Sequence, residues 1–446
     1  MIRYIKLFLK INLFIFLISC SFNNPTGFFD NRLIELEREI SEKNSKLVFS
    51  KRKQFREEID GNINKKLSVT INSSQWTRKN FYLSNNLPHF NYENKKQLIH
   101  KSKKIGKNKF ELSDNFFDPL VIDEDIFFYD LTGNIFRYSI QQKTTIWKFN
   151  FYKKRFKKIP IYLKFEISEN KIIISDNLGY IYSLNIDDGK LIWAKNFGIP
   201  FMSNLKVNNE LIFSLNQDNK FYSINVNNGE SLLSLETFPS FLKNNLETNI
   251  SMDNLNNVYF LTSTGQLYSI NTYNNNVNWL LNFNVGQSNS KLFYSSPIIY
   301  NNNRIFFSSS VSTFAIDTLN SKVLWELPFS TFIRPIISGE FMFLISQDGF
   351  MLGIDNQSGK VLWSKDLYKI NKKINKKKFG NINSILLISN QLLITTHKGY
   401  LLFIDYKNGK ILNYTRVTKS GFFSSPVMVD KKIHIIDNNF RVLVFN

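Results

Sequence analysis

The chain has few of the residues on which compact enzymes and metal proteins commonly depend. It contains one cysteine in 446 residues, so no disulfide can form within it, and its folded state must depend on the core. No glycine-rich phosphate loop is present. The four histidines are too scattered for the spacing of a metal site: His89, His100, His397 and His434. The carboxylate clusters at 123–125 and 187–188 occupy turns, where aspartate bonds the local backbone. The sequence therefore shows no catalytic constellation, no metal site and no cofactor motif.

A repeated segment takes the place of such motifs. In its clearest copy it runs from Gly179, through a turn ending at Gly189, to Trp193, a span of 14 residues. The corresponding anchor positions are residues 133, 179, 219, 265, 311, 349, 399 and 440. A period of about 40–50 residues is typical of the blades of a propeller. The chain therefore contains eight copies of a unit with the length of one blade.

Each copy predicts four short strands. One strand precedes the glycine turn and one follows it. A further pair of strands lies upstream of these two, as in residues 295–300 and 304–308. The sequence therefore predicts an all-β fold, an eight-bladed β-propeller of four-stranded antiparallel blades. Five of the six tryptophans share one repeat position and are predicted to pack between blades: Trp147, Trp193, Trp279, Trp325 and Trp363.

The eighth copy lacks its turn and final strand, because the sequence ends at Asn446. An open ring would leave one sheet edge without a partner, which closed folds avoid. We therefore predict that an N-terminal strand within residues 97–106 completes the last blade and closes the ring.

The N-terminal residues predict export and lipid attachment. Residues 1–19 have the basic and apolar regions of a signal peptide, and residues 17–20 (LISC) resemble a bacterial lipobox. That resemblance implies cleavage before Cys20 and its acylation, which would anchor the chain at the outer membrane, facing the periplasm. Residues 20–90 are interpreted as a lipidated tether with a short amphipathic helix, and residues 91–446 as the propeller.

The positive charge is concentrated in connections between blades. The formal net charge is +21, and two tracts, residues 153–158 and 372–378, carry much of the excess. Both tracts are predicted to lie on one face of the propeller, where they would meet anionic lipid headgroups or an acidic partner surface. No nucleic-acid-binding motif is present, and export argues against a nucleic-acid partner.

The repeat resembles the PQQ-type propeller repeat, and residues 97–446 resemble the BamB family of outer-membrane assembly lipoproteins. The segments that carry the resemblance are 399–405 (GYLLFID), 408–410 (NGK) and 419–426 (KSGFFSSP). The resemblance implies a non-enzymatic scaffold that binds a POTRA domain of BamA, the barrel-forming subunit, and other subunits of the assembly machinery. Such a scaffold would assist the folding and insertion of outer-membrane proteins and would contact them while they are unfolded. It also implies contacts from loops that lead into the fourth and fifth blades. The corresponding residues are Phe241, Leu242, Lys243, Phe293 and Tyr294.

Two alternatives remain open at the level of sequence. One is a periplasmic propeller that binds a glycan or another envelope component. The other is a PQQ-dependent dehydrogenase, which shares the repeat. Enzymes of that family carry paired cysteines and a calcium site, whereas this chain has Cys20 alone.

Overall fold

Short strands rich in Ile, Phe, Tyr and Leu alternate with turns along the chain, and they pair into eight antiparallel sheets. The computed structural model describes residues 53–107, 109–111, 117–152, 156–238, 247–284, 292–370 and 375–446. Each sheet is one blade, and within blades 2 to 7 the strands pair in the order in which the chain forms them. The prediction of an eight-bladed propeller with four-stranded antiparallel blades is confirmed.

Two strands precede the first blade's own strands, namely β1 Gln75–Trp76 and β2 Leu98–Lys101. Blade 1 contains β3 Leu120–Ile122, β4 Asp125–Tyr129, β5 Asn134–Ser139 and β6 Thr144–Asn150. Blade 2 contains β7 Leu163–Ser168, β8 Lys171–Asp176, β9 Tyr180–Asn185 and β10 Leu191–Asn196. Blade 3 contains β11 Lys206–Asn208, β12 Leu211–Leu215, β13 Phe221–Asn225 and β14 Ser231–Leu235. Blade 4 contains β15 Asn249–Met252, β16 Asn257–Leu261, β17 Gln266–Asn271 and β18 Asn276–Asn282.

Blade 5 contains β19 Ile299–Asn301, β20 Arg304–Ser308, β21 Thr313–Asp317 and β22 Val323–Leu327. Blade 6 contains β23 Ile336–Ser338, β24 Phe341–Ile345, β25 Phe350–Asp355 and β26 Val361–Asp366. Blade 7 contains β27 Ile382–Ile388, β28 Gln391–Thr396, β29 Tyr400–Asp405 and β30 Ile411–Arg416. Blade 8 contains β31 Val427–Val429, β32 Lys432–Ile436 and β33 Val442–Phe445, and β2 is its fourth strand.

The antiparallel order gives the ring two distinct faces. We call one the connection face. It carries the connections between blades, such as residues 417–426, and the loops between second and third strands, such as residues 397–399. The opposite face, here called the turn face, carries the remaining turns, such as residues 169–170 and 186–190.

Two single helical turns, α1 Leu367–Ile370 and α2 Lys376–Phe379, lie in the connection between blades 6 and 7. The side chain of Asn375 caps α2 by accepting a hydrogen bond from the Lys378 N–H, at 2.9 Å. In the described ranges, no helix has the length and apolar character needed to cross a membrane.

The ring closes through β2, as predicted. Gln97 and Asn446 exchange backbone hydrogen bonds of 2.7 and 2.9 Å, and Leu98 pairs with Phe445. Beyond the strand, the Ser102 N–H donates to the Val442 carbonyl at 2.9 Å, and the Val442 N–H donates to Ser102 Oγ at 2.8 Å. The two ends of the propeller sequence thus satisfy each other's backbone groups within one blade.

The repeated tryptophans join each blade to the next, as predicted. Trp193 Nε1 donates to the Val226 carbonyl of the following blade at 2.8 Å, and Trp363 Nε1 donates to the Tyr406 carbonyl at 2.9 Å. Trp147, Trp279 and Trp325 make the same bond across their own blade junctions, at 2.9, 2.9 and 3.0 Å.

The turn glycine of the following blade completes this contact. Gly409 has a φ of +72°, and a Cβ added to it would lie 2.6 Å from the ring of Trp363. Glycine is required here for two reasons: a side chain would strain the backbone, and its Cβ would overlap with the ring of Trp363. The glycine and the tryptophan of the repeat are therefore two halves of one junction between blades.

Candidate functional site at the propeller axis

The first strands of the blades surround the propeller axis, and an N-terminal segment covers one end of it. We call residues 68–92 the channel segment. Its rim contacts lie on the turn face, where His89 Nε2 accepts a hydrogen bond from the Asn390 N–H at 2.8 Å. Asn86 likewise donates to the side chain of Asn301, at 3.3 Å. The segment therefore occupies the axis at the turn face.

The channel segment contacts all eight blades through hydrogen bonds. Strand β1 pairs with β3 of blade 1. In blades 2 to 5 the contacts are Ile167 N–H to Thr77 O, Lys206 Nζ to Tyr82 O, Met252 N–H to Leu83 O and Tyr300 N–H to Ser84 O. In blades 6 to 8 they are Ser68 N–H to Ser338 Oγ, Phe90 N–H to Leu387 O and Asp430 N–H to Ser73 O.

Two buried side chains form the centre of this segment. Trp76 is fully buried, with its ring centroid 4.9 Å from Phe81 and 5.5 Å from Phe90. Asn85 is also fully buried, and its amide donates to the carbonyls of Ile250 and Ile298 at 2.8 and 2.7 Å. The segment thus combines an aromatic core with a polar clasp between blades 4 and 5.

The interpretation of residues 20–90 as a tether needs correction for residues 53–90. Residues 53–57 lie on the connection face, where the Phe55 N–H donates to Pro328 O at 2.7 Å. The chain then follows the outer strand of blade 6, pairing Ile59 with Ser364, before it reaches the axis. Most of the predicted helix and residues 20–52, including Cys20, lie outside the described residues, so lipid attachment stays a prediction.

Ionisable groups are buried beneath the channel segment. Arg78 Nε lies 3.2 Å from Glu166 Oε1, which also accepts a bond from the Val207 N–H at 2.8 Å. Lys206 is fully buried, and burial lowers its pKa to about 7 although Glu166 acts in the opposite direction. Burial also lowers the pKa of Lys164 to about 8 and raises the pKa of Glu166. The axis therefore holds lysines that the fold destabilises in their charged form.

We predict that the stability of the fold rises as the pH is raised above 7, because the destabilising charge on buried Lys206 is then lost. The pKa of Lys206 is about 7 in the folded chain and 10.5 in the unfolded chain, so between these values the unfolded chain binds the extra proton. Stability should therefore rise with pH in this window, by at most about 1.4 kcal/mol per pH unit per lysine, and be flat below it. Urea unfolding from pH 7 to 9.5 measures the slope.

Lys206→Met should remove the part of the slope that Lys206 contributes, leaving the part due to Lys164 above pH 8, whereas Lys322→Met, at an exposed turn of blade 5, should leave the slope unchanged. Equal slopes in the two variants would show that Lys206 does not titrate in this window.

The axis is open at the connection face, where it forms a cavity of about 330 Å³. Charged side chains at its floor are paired: Arg334 lies 3.9 Å from Asp118, and Lys79 bonds Glu247. Among the described residues, no three His, Cys, Asp or Glu side chains cluster as metal ligands would.

Of the five predicted contact residues, Phe293 and Tyr294 lie in the described part of the chain, in the connection between blades 4 and 5. Phe241, Leu242 and Lys243 lie outside it. Phe293 is half-buried, and its ring centroid lies 6.5 Å from those of Phe283 and Phe307.

Tyr294 is also half-buried, and its ring centroid lies 6.4 Å from that of Phe332 in an edge-to-face arrangement. Phe332 is 41% exposed, and the sequence alone does not predict it as a contact residue. Its position in a connection between blades, like that of Tyr294, is the signal that could have found it.

Comparison with known proteins agrees with the fold. The chain is 21% identical over 283 residues to the outer membrane protein assembly factor BamB of Shewanella oneidensis, covering 62% of this chain and 69% of that protein. Among solved structures, BamB from Moraxella catarrhalis has a TM-score of 0.61 at 11% identity, covering 79% of this chain and 99% of that one. The quinohemoprotein alcohol dehydrogenase of Comamonas testosteroni has a TM-score of 0.63 at 10% identity, covering 83% and 80%.

At such identities the two structural likenesses show only the propeller fold, which BamB and an alcohol dehydrogenase share. The family model distinguishes further. The model described as outer membrane protein assembly factor BamB matches residues 131–365 and 347–446, which together span most of the propeller. The chain belongs to the family of the outer membrane protein assembly factor BamB.

Proposed function

We propose that the chain is a non-enzymatic scaffold of the outer-membrane β-barrel assembly machinery, anchored through a lipid on Cys20 and facing the periplasm. The family match is the observation that carries this proposal. The lipobox-like residues 17–20 support export and anchoring, because two or three acyl chains hold a protein firmly at a membrane.

The contents of the axis support a scaffold over a dehydrogenase. The chain's own residues 68–92 occupy one end, and the cations at the floor of the open end are engaged by Asp118 and Glu247. A dehydrogenase of the PQQ type would need free groups there for its anionic quinone, together with paired cysteines, and this chain has one cysteine.

The proposed partner is a POTRA domain of BamA, and the proposed contact surface is the connection face beside blades 4 and 5. Tyr294 and Phe332 present adjacent rings there, and the predicted residues Phe241, Leu242 and Lys243 belong to the neighbouring connection. Aromatic side chains at such a rim are typical of the residues that contribute most to binding. Unfolded outer-membrane proteins would be held at the exposed outer strands of blades by β-augmentation.

Affinity capture from solubilised envelope, followed by mass spectrometry, tests the partner. We expect BamA to be recovered with the unsubstituted chain. The double variant Tyr294→Ala, Phe332→Ala should weaken binding about thirtyfold, equivalent to about 2 kcal/mol for the loss of a central aromatic contact. The control is Tyr273→Ala, because Tyr273 is 90% exposed on the turn face, away from the proposed surface.

Two results would contradict the proposal. Recovery of other envelope components without BamA would favour the second type of periplasmic propeller. Alcohol- or sugar-dependent dye reduction after addition of PQQ and calcium would favour an enzyme.

A further inference from the structure

Exposed basic side chains form a continuous sector on the connection face of blades 7, 8 and 1. In blade 7 the Lys398 ammonium donates to the Lys377 carbonyl at 2.7 Å, and Arg416 Nε donates to the Lys398 carbonyl at 3.1 Å. Five basic side chains in this region are exposed: Lys376, Lys377, Lys378, Lys398 and Arg416. Residues 376–378, the described lysines of the second basic tract, therefore form one cationic surface with two other loops.

Contacts between loops extend this surface across blade 8 to blade 1. The Asn438 amide donates to the Ser420 carbonyl at 2.8 Å, next to the exposed Lys419. The Ile105 N–H donates to Phe440 O at 3.1 Å, and the Lys107 N–H donates to Asp130 Oδ2 at 2.9 Å. Lys157 and Lys158 continue the surface into the connection that leads to blade 2. We call this set of residues the basic sector.

Carboxylates do not balance this charge at the surface. Asp130 and Asp437 lie beneath the loops, fully buried, and accept backbone N–H groups within them, at 3.0 Å from Thr132 and 2.9 Å from Asn439. Within the described residues, no cation of the basic sector lies within 4 Å of a carboxylate oxygen.

The rest of the same face differs. Arg56 pairs with Asp348 at 3.1 Å, and Lys220 pairs with Glu236 at 2.9 Å. The unpaired positive charge on the connection face is therefore concentrated on blades 7, 8 and 1, in addition to the positive net charge of the whole chain.

Apolar side chains lie among these lysines. Phe156 is 38% exposed and Ile159 is 40% exposed, on either side of Lys157 and Lys158. Long basic side chains interspersed with an exposed aromatic ring are typical of surfaces that meet lipid headgroups, because the ring enters the interface while the ammonium groups face phosphate.

The described part of the N-terminal segment begins on this same face. Gln54 donates to the Val311 carbonyl at 2.5 Å, in the loop between the second and third strands of blade 5. The residues before it lead to Cys20, and a lipid there would hold the connection face within reach of the bilayer. Only the lipid on Cys20 rests on the proposed function; the geometry of the basic sector does not.

We propose that the basic sector is a docking surface for anionic phospholipid, so that blades 7, 8 and 1 lie against the membrane. The contact surface proposed for BamA lies across the ring on blades 4 and 5, so both can be engaged at once. The ligand is the phosphate-bearing surface of a bilayer containing phosphatidylglycerol or a comparable anionic lipid.

Sedimentation with vesicles tests this proposal without the lipid anchor. The chain from residue 21 onward contains every described residue and lacks Cys20. We expect it to bind vesicles of phosphatidylcholine with phosphatidylglycerol at low salt, to dissociate as salt screens the charges, and not to bind phosphatidylcholine alone. Each lysine removed from the sector should weaken binding about fivefold at low salt.

A matched pair of variants separates the sector from the overall charge. Lys376→Gln, Lys377→Gln, Lys378→Gln should weaken binding about a hundredfold. Lys322→Gln, Lys360→Gln, Lys410→Gln removes the same charge from exposed turns of the opposite face, and should change binding less than about threefold. Amide hydrogen exchange at residues 376–379 should slow on vesicles, while exchange at residues 408–410 should not.

Equal weakening by the two triple variants would overturn the proposal in favour of non-specific attraction. Absence of vesicle binding would also overturn it, as would capture of an acidic protein by the basic sector in its place. None of these three results would affect the test for BamA, which uses a different surface and a different readout.

Discussion

Proline at both ends of the closing strand should destabilise the propeller by about 5 kcal/mol. The Gln97 N–H donates to Asn446 O, and the Ser102 N–H donates to Val442 O. The double variant Gln97→Pro, Ser102→Pro removes both donors, and also the hydroxyl that accepts the Val442 N–H. Each buried backbone group left without a partner costs about 1–3 kcal/mol. Thermal unfolding followed by circular dichroism measures the loss.

The matched control is Gln97→Ala, Ser102→Ala, which keeps both backbone N–H groups. It loses only the two bonds of the Ser102 hydroxyl, which accepts from the Val442 N–H and donates to the Lys103 carbonyl, so we expect a loss of about 1–2 kcal/mol. The proline variant should also form dimers or larger species in gel filtration, because an open sheet edge pairs with other chains. Equal stability and equal size of the two variants would show that the ring does not depend on this strand.

The ring could be predicted from the sequence because its junctions repeat. A tryptophan and a turn glycine recur with the period of the blade, and each tryptophan bonds a carbonyl of the next blade. Such a contact is local in the ring and identical at many junctions, so the pattern alone indicates it. The closing strand was predictable for a different reason: the eighth copy lacks its final strand, so another segment had to pair with the open edge of its sheet.

The eighth blade also shows what pattern alone does not reveal. His100 of β2 pairs with Val444, the position where other blades pair their tryptophan, as Trp193 pairs with Ser183. Its Nε2 lies 3.3 Å from the Tyr138 hydroxyl of blade 1. A histidine that the sequence analysis considered only as a metal ligand thus lies at the junction between the last blade and the first.

The channel segment could not be predicted for a physical reason. Its residues form few regular strands, so no period of two or 3.6 marks them as buried. They contact eight different blades, each through a different residue, and so nothing in the segment repeats. Polar residues such as Asn80 and Asn85 are common in solvated loops, and only their partners show that they are buried.

The candidate site was likewise predictable only in part from the sequence. The connections into blades 4 and 5 could be singled out by resemblance, but the sequence could not show that Tyr294 would meet Phe332 from the next connection. Nor could it show that the lysines near residues 378, 398 and 419 adjoin one another. Surfaces that assemble from several blades require the ring to be built first.

Substitution of Asn85 should have the second large effect on stability. Asn85→Leu keeps the number and branching of the side-chain heavy atoms but removes the two donors that satisfy the carbonyls of Ile250 and Ile298. It also removes the acceptor for the amide of Asn80. With three buried polar groups left without partners, we expect a loss of about 4 kcal/mol. Asn85→Asp should cost more, because a carboxylate would face two carbonyl oxygens in a site with no access to water.

Asn94→Leu is the control that separates this clasp from backbone strain. Asn85 and Asn94 both have left-handed backbones, with φ of 59° and 61°, which asparagine tolerates better than leucine. Asn94 is exposed, so its substitution carries the conformational cost of about 1 kcal/mol without the buried hydrogen bonds. Urea unfolding measures both variants, and hydrogen exchange at Met252 and Tyr300 measures the attachment of the segment to blades 4 and 5. If the two variants lose equal stability, the segment only lies over the axis; if Asn85→Leu loses far more, the segment is part of what holds the blades around it.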